Sequence, residues 1–154
     1  MVNPFDLKTI LLARHAQHVV LIHFPIALFM TGVGLDLFSR GKRNSQLAGA
    51  AYLNLSIAAA TVLPTALTGL LAWQFALDGH KLKGMLLLHF VAALLATFLV
   101  IAAWWIHWCS RKGKTLSRLF LPGYRIPVEM LGVALIAVTA HLGGFLSGVN
   151  QLVF

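Results

Sequence analysis

The chain has 154 residues, of which 59% are hydrophobic and 10% charged, with a mean hydropathy of +0.84. Soluble domains carry about 25% charged residues, so composition excludes an ordinary water-soluble enzyme and predicts one integral membrane domain over residues 1–154. The formal charge of +8 sits in short stretches between apolar runs, which points to lipid headgroups and topology and not to nucleic acid.

The N-terminal stretch lacks the charged start and small-residue cleavage site of a signal peptide. Pro4–Arg14 (PFDLKTILLAR) reads either as a short amphipathic helix in the membrane interface or as an early extension of the first span. Four uncharged runs follow: Ala16–Leu35, Leu47–Leu77, Met85–Ser110 and Met130–Phe154. Each exceeds the roughly 20 residues that a bilayer crossing needs. They predict transmembrane helices over about 16–38, 47–75, 84–108 and 127–149, joined as an all-α, up-down four-helix bundle. Pro25 and Pro64 fall inside the first two spans and should bend them. Gly32, Gly34, Gly69 and the Gly144-x-x-x-Gly148 pair allow close helix approach. Cys109 is the single cysteine, so there is no internal disulfide and no C-x-x-C-H for covalent haem attachment.

Loop charge predicts orientation. Arg40, Lys42 and Arg43 lie between the first two spans, and Arg111, Lys112, Lys114, Arg118 and Arg125 between the last two. Lys8, Arg14, Lys81 and Lys83 lie on the other side. The more basic side is cytoplasmic by the positive-inside rule, which places both termini outside. Trp104, Trp105 and Trp108 then fall at the cytoplasmic boundary and Trp73 at the outer one, where aromatic belts form.

Histidines inside the spans are the candidate functional groups, because ionisable residues in a membrane are costly. His23 lies ~10 Å below the outer surface, His89 ~8 Å and His141 ~9 Å, from 1.5 Å per residue and a ~30 Å core. His18 and His15 lie higher and His80 in the outer loop, so only His107 falls at the cytoplasmic end. Asp36 and Glu129 also fall at that end, and Asp6 and Asp78 outside the spans, so no acid accompanies the outer histidines. That speaks against a proton relay, which mixes histidine with carboxylates, and leaves zinc hydrolysis without a general base. Haem iron needs two neutral imidazoles and an apolar slot. Thr65, Thr68 and Gly69 on the second helix, and Gly143 and Gly144 on the fourth, offer room for a flat macrocycle. In an up-down bundle the first and third helices are diagonal, which selects His23 and His89 as axial ligands. His141 is the substitute ligand, or contacts a propionate or quinone headgroup. His18 is about 140° from His23 around the helix and faces the rim. His107 follows His89 by 18 residues on the same face, and reads as an interfacial histidine near a helix C-terminus.

These stretches resemble the bacterial membrane family of unknown function 2231. Its motif H-P-x-x-V-H-F-P-I-A-L is matched by His18-Val-Val-Leu-Ile-His23-Phe-Pro-Ile-Ala-Leu28, with Val19 in place of proline. Thr68-Gly-Leu-Leu-Ala-Trp73 is similar to its T-G-L-x-x-W, and Leu142-Gly-Gly-Phe-Leu146 with Gly148 to its closing L-G-G-x-L. Phe145 stands where many members carry glutamate. The resemblance implies a b-type haem protein of the bacterial inner membrane that works beside redox enzymes and cytochromes. The reading that follows is a haem b electron-transfer or anchor subunit of a respiratory or photosynthetic complex, not a stand-alone enzyme, with a periplasmic cytochrome and the quinone pool as candidate partners. The alternatives are a cofactor-free structural subunit binding lipid, carotenoid or quinone, and a small metal or proton transporter. Transport calls for acids or a polar path in the cytoplasmic half, and the sequence predicts neither between the two histidine levels.

Overall fold

A computed structural model describes residues 14–42, 44–76, 79, 81–112 and 115–148, with side chains for all of these except 14–16, 76 and 115–123. The proposed interfacial helix over Pro4–Arg14 lies almost wholly outside the described residues, as do His80, Asp6 and Asp78. Among the described residues five helices run in order: α1 (Arg14–Leu21), α2 (His23–Lys42), α3 (Ser45–Ala76), α4 (Gly84–Arg111) and α5 (Thr115–Leu146). Four stretches are long and apolar enough to cross a membrane: Gln17–Lys42, Ser45–Phe75, Gly84–Arg111 and Tyr124–Leu146. The chain is an all-α, four-helix membrane bundle.

α2 packs mainly on α3 and α4 mainly on α5. The two hairpins join through α3 and α4, and a thinner seam between α2 and α5 closes the ring. α2 and α4 therefore lie across the diagonal. α1 lies against α3. One end of the bundle holds the α2–α3 and α4–α5 connections and is called the basic end below. The other holds α1 and the α3–α4 connection and is called the histidine end.

Two boundaries differ from expectation. The first span is two helices, broken at Ile22. Pro25 is the cause, since it has no N–H for the Leu21 carbonyl four residues earlier and its ring crowds that carbonyl. The ladder resumes on either side, with Ile22 N donating to His18 O at 3.0 Å and Ile26 N to Ile22 O at 3.3 Å. Thr65 Oγ1 of α3 reaches across to Leu21 O at 3.4 Å and gives the orphaned carbonyl a donor. The fourth helix starts at Thr115, where a loop over 109–126 was expected. Basic residues mark the edge of the bilayer and do not prevent that stretch from being helical. α3 begins where its apolar run does because Asn44 caps it: its Oδ1 accepts from Gln46 N at 2.9 Å and Leu47 N at 3.2 Å.

Small residues let the helices approach around two large side chains. Phe29 and Leu55 are fully buried among Val33, Ala58, Ala59, Val62, Ala96, Val100, Ala103 and Ile136. A Cβ on Gly132 would come within 2.8 Å of Phe29 Cζ, and one on Gly32 within 2.9 Å of Leu55 Cγ. Gly34 faces open space, so of the two neighbouring α2 glycines only Gly32 serves packing. The large apolar side chains Phe38 and Phe98, 65% and 67% exposed, point outward, as lipid contact requires. At the basic end Trp104, Trp105 and Trp108 form one aromatic cluster, with centroids 4.9–6.3 Å apart. Arg111 ties α4 to α3 there: its guanidinium lies 4.3 Å over Tyr52 and Nη2 donates to Ala48 O at 3.3 Å.

Candidate functional site

Two groups of polar side chains are built into the bundle, one at each end. At the histidine end, α1 carries His18 against α3. Its Nδ1 lies 3.1 Å from Thr65 O and 3.3 Å from Thr68 Oγ1. A carbonyl only accepts, so Nδ1 carries the proton and Nε2 keeps the lone pair. The ring fits because residue 69 is glycine: a Cβ there would lie 2.9 Å from His18 Cε1. Thr68 Oγ1 also donates to Thr65 O at 2.9 Å, so the hydroxyl and the ring converge on one carbonyl.

α4 repeats the arrangement against α5. His89 is half-buried and its Nδ1 donates to Thr139 O at 3.1 Å. Its Cε1 would lie 3.2 Å from a Cβ on Gly143. Both rings are therefore held by a main-chain carbonyl of a neighbouring helix and seated over a glycine, in the Nδ1–H tautomer. That is the way metal-ligating histidines are oriented, with the far nitrogen kept basic.

The other expected residues sit differently. His23 is exposed on the first turn of α2, with Nδ1 3.4 Å from Val20 O in the preceding helix. His141 is exposed on α5 and meets Phe145 edge-on, with centroids 5.0 Å apart. Gly144 is half-buried, and its carbonyl accepts from Ser147 Oγ at 3.1 Å. Thr68 and Gly69, expected to leave room for a macrocycle, lie directly against His18. Asp36 and Glu129, the two acids among the described residues, are at the opposite end.

At the basic end His107 lies near the C-terminus of α4, as expected, but is buried inside the bundle, at 4% exposure. Its Nε2 lies 2.6 Å from Oε1 of Glu129, itself fully buried. Asp36 on α2 is also fully buried. Arg40, one turn on, donates from Nε to Asp36 Oδ2 at 2.9 Å. Arg125 of α5 bridges the two acids, pairing through Nη2 with Asp36 Oδ1 and through Nε, at 3.5 Å, with Glu129 Oε1. α2, α4 and α5 are thus joined at this end by two carboxylates, two guanidiniums and an imidazole. Asp36 and Glu129 thus lie together at the end where the sequence placed them, and there they are buried inside the bundle. One part of the sequence reading reappears: five turns separate His89 from His107, and both rings reach α5.

With both ends described, comparison places the chain. The family described as "Predicted membrane protein (DUF2231)" matches residues 14–152. The chain belongs to that family, in agreement with the resemblance carried by the His18–Leu28 motif. No curated protein and no solved structure matches it.

Proposed function

We propose that this membrane protein is a haem b-binding subunit that carries electrons within a larger redox complex, with the haem held at the histidine end. One observation carries the reading: two imidazoles from different helices, His18 and His89, each donate Nδ1–H to a main-chain carbonyl across a helix contact, the orientation in which Nε2 would be the atom to bind a metal. Bis-imidazole ligation asks for that tautomer twice, with no carboxylate nearby. Haem bound there would supply one-electron oxidation and reduction. The chain's own residues would orient the ligands and exclude water. Thr65 and Thr139 present the carbonyls that hold the rings, and Gly69 and Gly143 leave them space.

His89 belongs to both favoured ligand pairs. The depth argument pairs it with His23, whereas ring orientation pairs it with His18, and His141 is the substitute. The rest of the reading follows the sequence: bacterial inner membrane, both termini periplasmic, contact with other subunits and a periplasmic cytochrome, and a quinone as a further ligand of His141. Labelling of single cysteines at positions 112–118 from the cytoplasmic side alone would support that topology.

The test is a reduced-minus-oxidised optical spectrum of the purified full chain and its variants. The wild type should show a low-spin b-type spectrum. His89→Ala should lose it, and His18→Ala should convert it to a high-spin or haem-free form, whereas His107→Ala should leave it intact. Loss in His23→Ala with retention in His18→Ala would restore the diagonal pair. A wild type without haem ends the cytochrome reading and leaves the structural subunit in its place.

A further inference from the structure

The buried cluster at the basic end has no part in that reading, and its charges can be counted. Asp36 and Glu129 contribute two negative charges, and Arg40 and Arg125 two positive ones. With His107 neutral the cluster balances. The donor atoms of Asp36, His107 and Glu129 lie within 4.8 Å of one another, a set that could take a divalent cation. Arg125 already bridges both carboxylates, so a cation would bring two uncompensated charges into a buried site, at high electrostatic cost. A proton adds one charge and needs no vacated volume.

We propose that His107 and Glu129 form a one-proton site at the basic end, exchanging with the aqueous side next to it. Neutral His107 donates Nε2–H to Glu129 Oε1 over 2.6 Å. A proton arriving from water adds to the Nδ1 lone pair. The positive charge that this creates is held by Glu129 and Asp36, or the Nε2 proton crosses to Oε1 and leaves neutral imidazole beside a carboxylic acid. In either form the cluster goes from zero to one positive charge, and no other atom is transferred. A second feature points the same way. Glu129 Oε2 is buried with no hydrogen-bond partner, an acceptor left open in a site where an unmet polar atom is costly.

Among the described residues the charged groups around the pair are Asp36 and Arg40 from α2 and Arg125 from α5, beside His107 of α4 and Glu129 of α5. α3 carries no Asp, Glu, Lys, Arg or His at all. Contact with water runs past Arg40 and Arg125, whose side chains are 33% and 19% exposed. In the other direction the apolar layer of Phe29, Val33, Leu55 and Val100 closes the bundle. The site therefore loads and unloads from one side and is not a step on a path through the membrane.

Glu129 is the only glutamate in the chain, so uniform ¹³C labelling of glutamate side-chain carboxyls reports this one group in the unmutated protein. The full chain in lipid nanodiscs would be titrated over roughly pH 5–9, the range in which a histidine changes charge. The Glu129 carboxyl signal should show one transition, with a ¹⁵N-histidine signal titrating at the same midpoint. His107→Gln should abolish the carboxyl transition. A carboxyl signal flat across the range overturns the proposal, as does a transition that persists unchanged in His107→Gln. If that variant does not assemble, the wild type alone decides: a carboxyl transition matched by no histidine midpoint overturns the proposal as well. None of these readouts requires haem, so failure here is distinguishable from failure of the cytochrome reading.

Discussion

The two ends of the bundle each use histidine to join helices, and they use it in opposite ways. At the histidine end the partners are main-chain carbonyls and glycines, all neutral, and His18 and His89 are fixed by Nδ1. At the basic end the partner is a carboxylate in a charged network, and His107 is engaged through Nε2. The neutral end fixes a tautomer without storing charge, which suits a ligand to metal. The charged end couples its members so that a change in one is felt by all. The partner, more than the residue type, decides what a buried imidazole can do.

The largest expected effect comes from breaking the charged end. Asp36→Ala would leave Arg125 and Arg40 without their shared carboxylate. Removing one member of a buried ion pair costs about 3–5 kcal/mol, and equilibrium unfolding of the purified chain in mixed micelles would measure it. A loss below about 1 kcal/mol, the value of an exposed pair, would mean that water reaches the cluster freely and that the contrast between the two ends is one of position only.

The neutral end should answer to volume instead. Gly69→Ala places a Cβ 2.9 Å from His18 Cε1, so the ring must leave its carbonyl or the helices must part, at a cost of about 1–3 kcal/mol by analogy with overpacked cores. Gly143→Ala meets His89 at 3.2 Å and should cost less. Gly34→Ala meets nothing within 4 Å and should fall within about 0.5 kcal/mol of wild type, as open surface positions do. An equal gain at all three glycines would show that helix propensity, in which Ala exceeds Gly, and not ring seating is being measured.

How much of this was legible in the sequence follows from what each signal responds to. The four spans were readable because apolar runs record length directly. The start of α5 was not, because basic residues mark the edge of the bilayer and not the end of a helix. His89 was placed at the right end by counting rises from a boundary. The His18–Thr65 contact escaped because it depends on how α1 turns at Ile22, which spacing along one helix does not encode. The basic cluster was missed for a different reason. His107 was read as an interfacial histidine, whereas it has a carboxylate partner 22 residues away. Signals for it existed: Asp36 closely follows an uncharged run, and Asp36–Arg40 and Arg125–Glu129 both have the i, i+4 spacing of ion pairs on one helix face.

The smallest effect concerns the joint that lets α1 carry His18. Pro25 deprives the Leu21 carbonyl of its helical donor, and Thr65 Oγ1 stands 3.4 Å away as the replacement. The same hydroxyl lies 2.8 Å from Thr61 O, so it is shared and its hold on Leu21 is weak. Thr65→Val removes it while keeping the Thr65 carbonyl that binds His18, and should cost about 0.5–1.5 kcal/mol, the net worth of one hydrogen bond. Pro25→Ala would return an N–H to Leu21 and make the threonine redundant. The cost of Thr65→Val should then shrink in the Pro25→Ala background, with a coupling of about 0.5 kcal/mol, at the lower end for residues sharing a partner. Additivity would mean that Leu21 is satisfied without the hydroxyl, and that His18 is positioned by the Thr65 carbonyl and Gly69 alone.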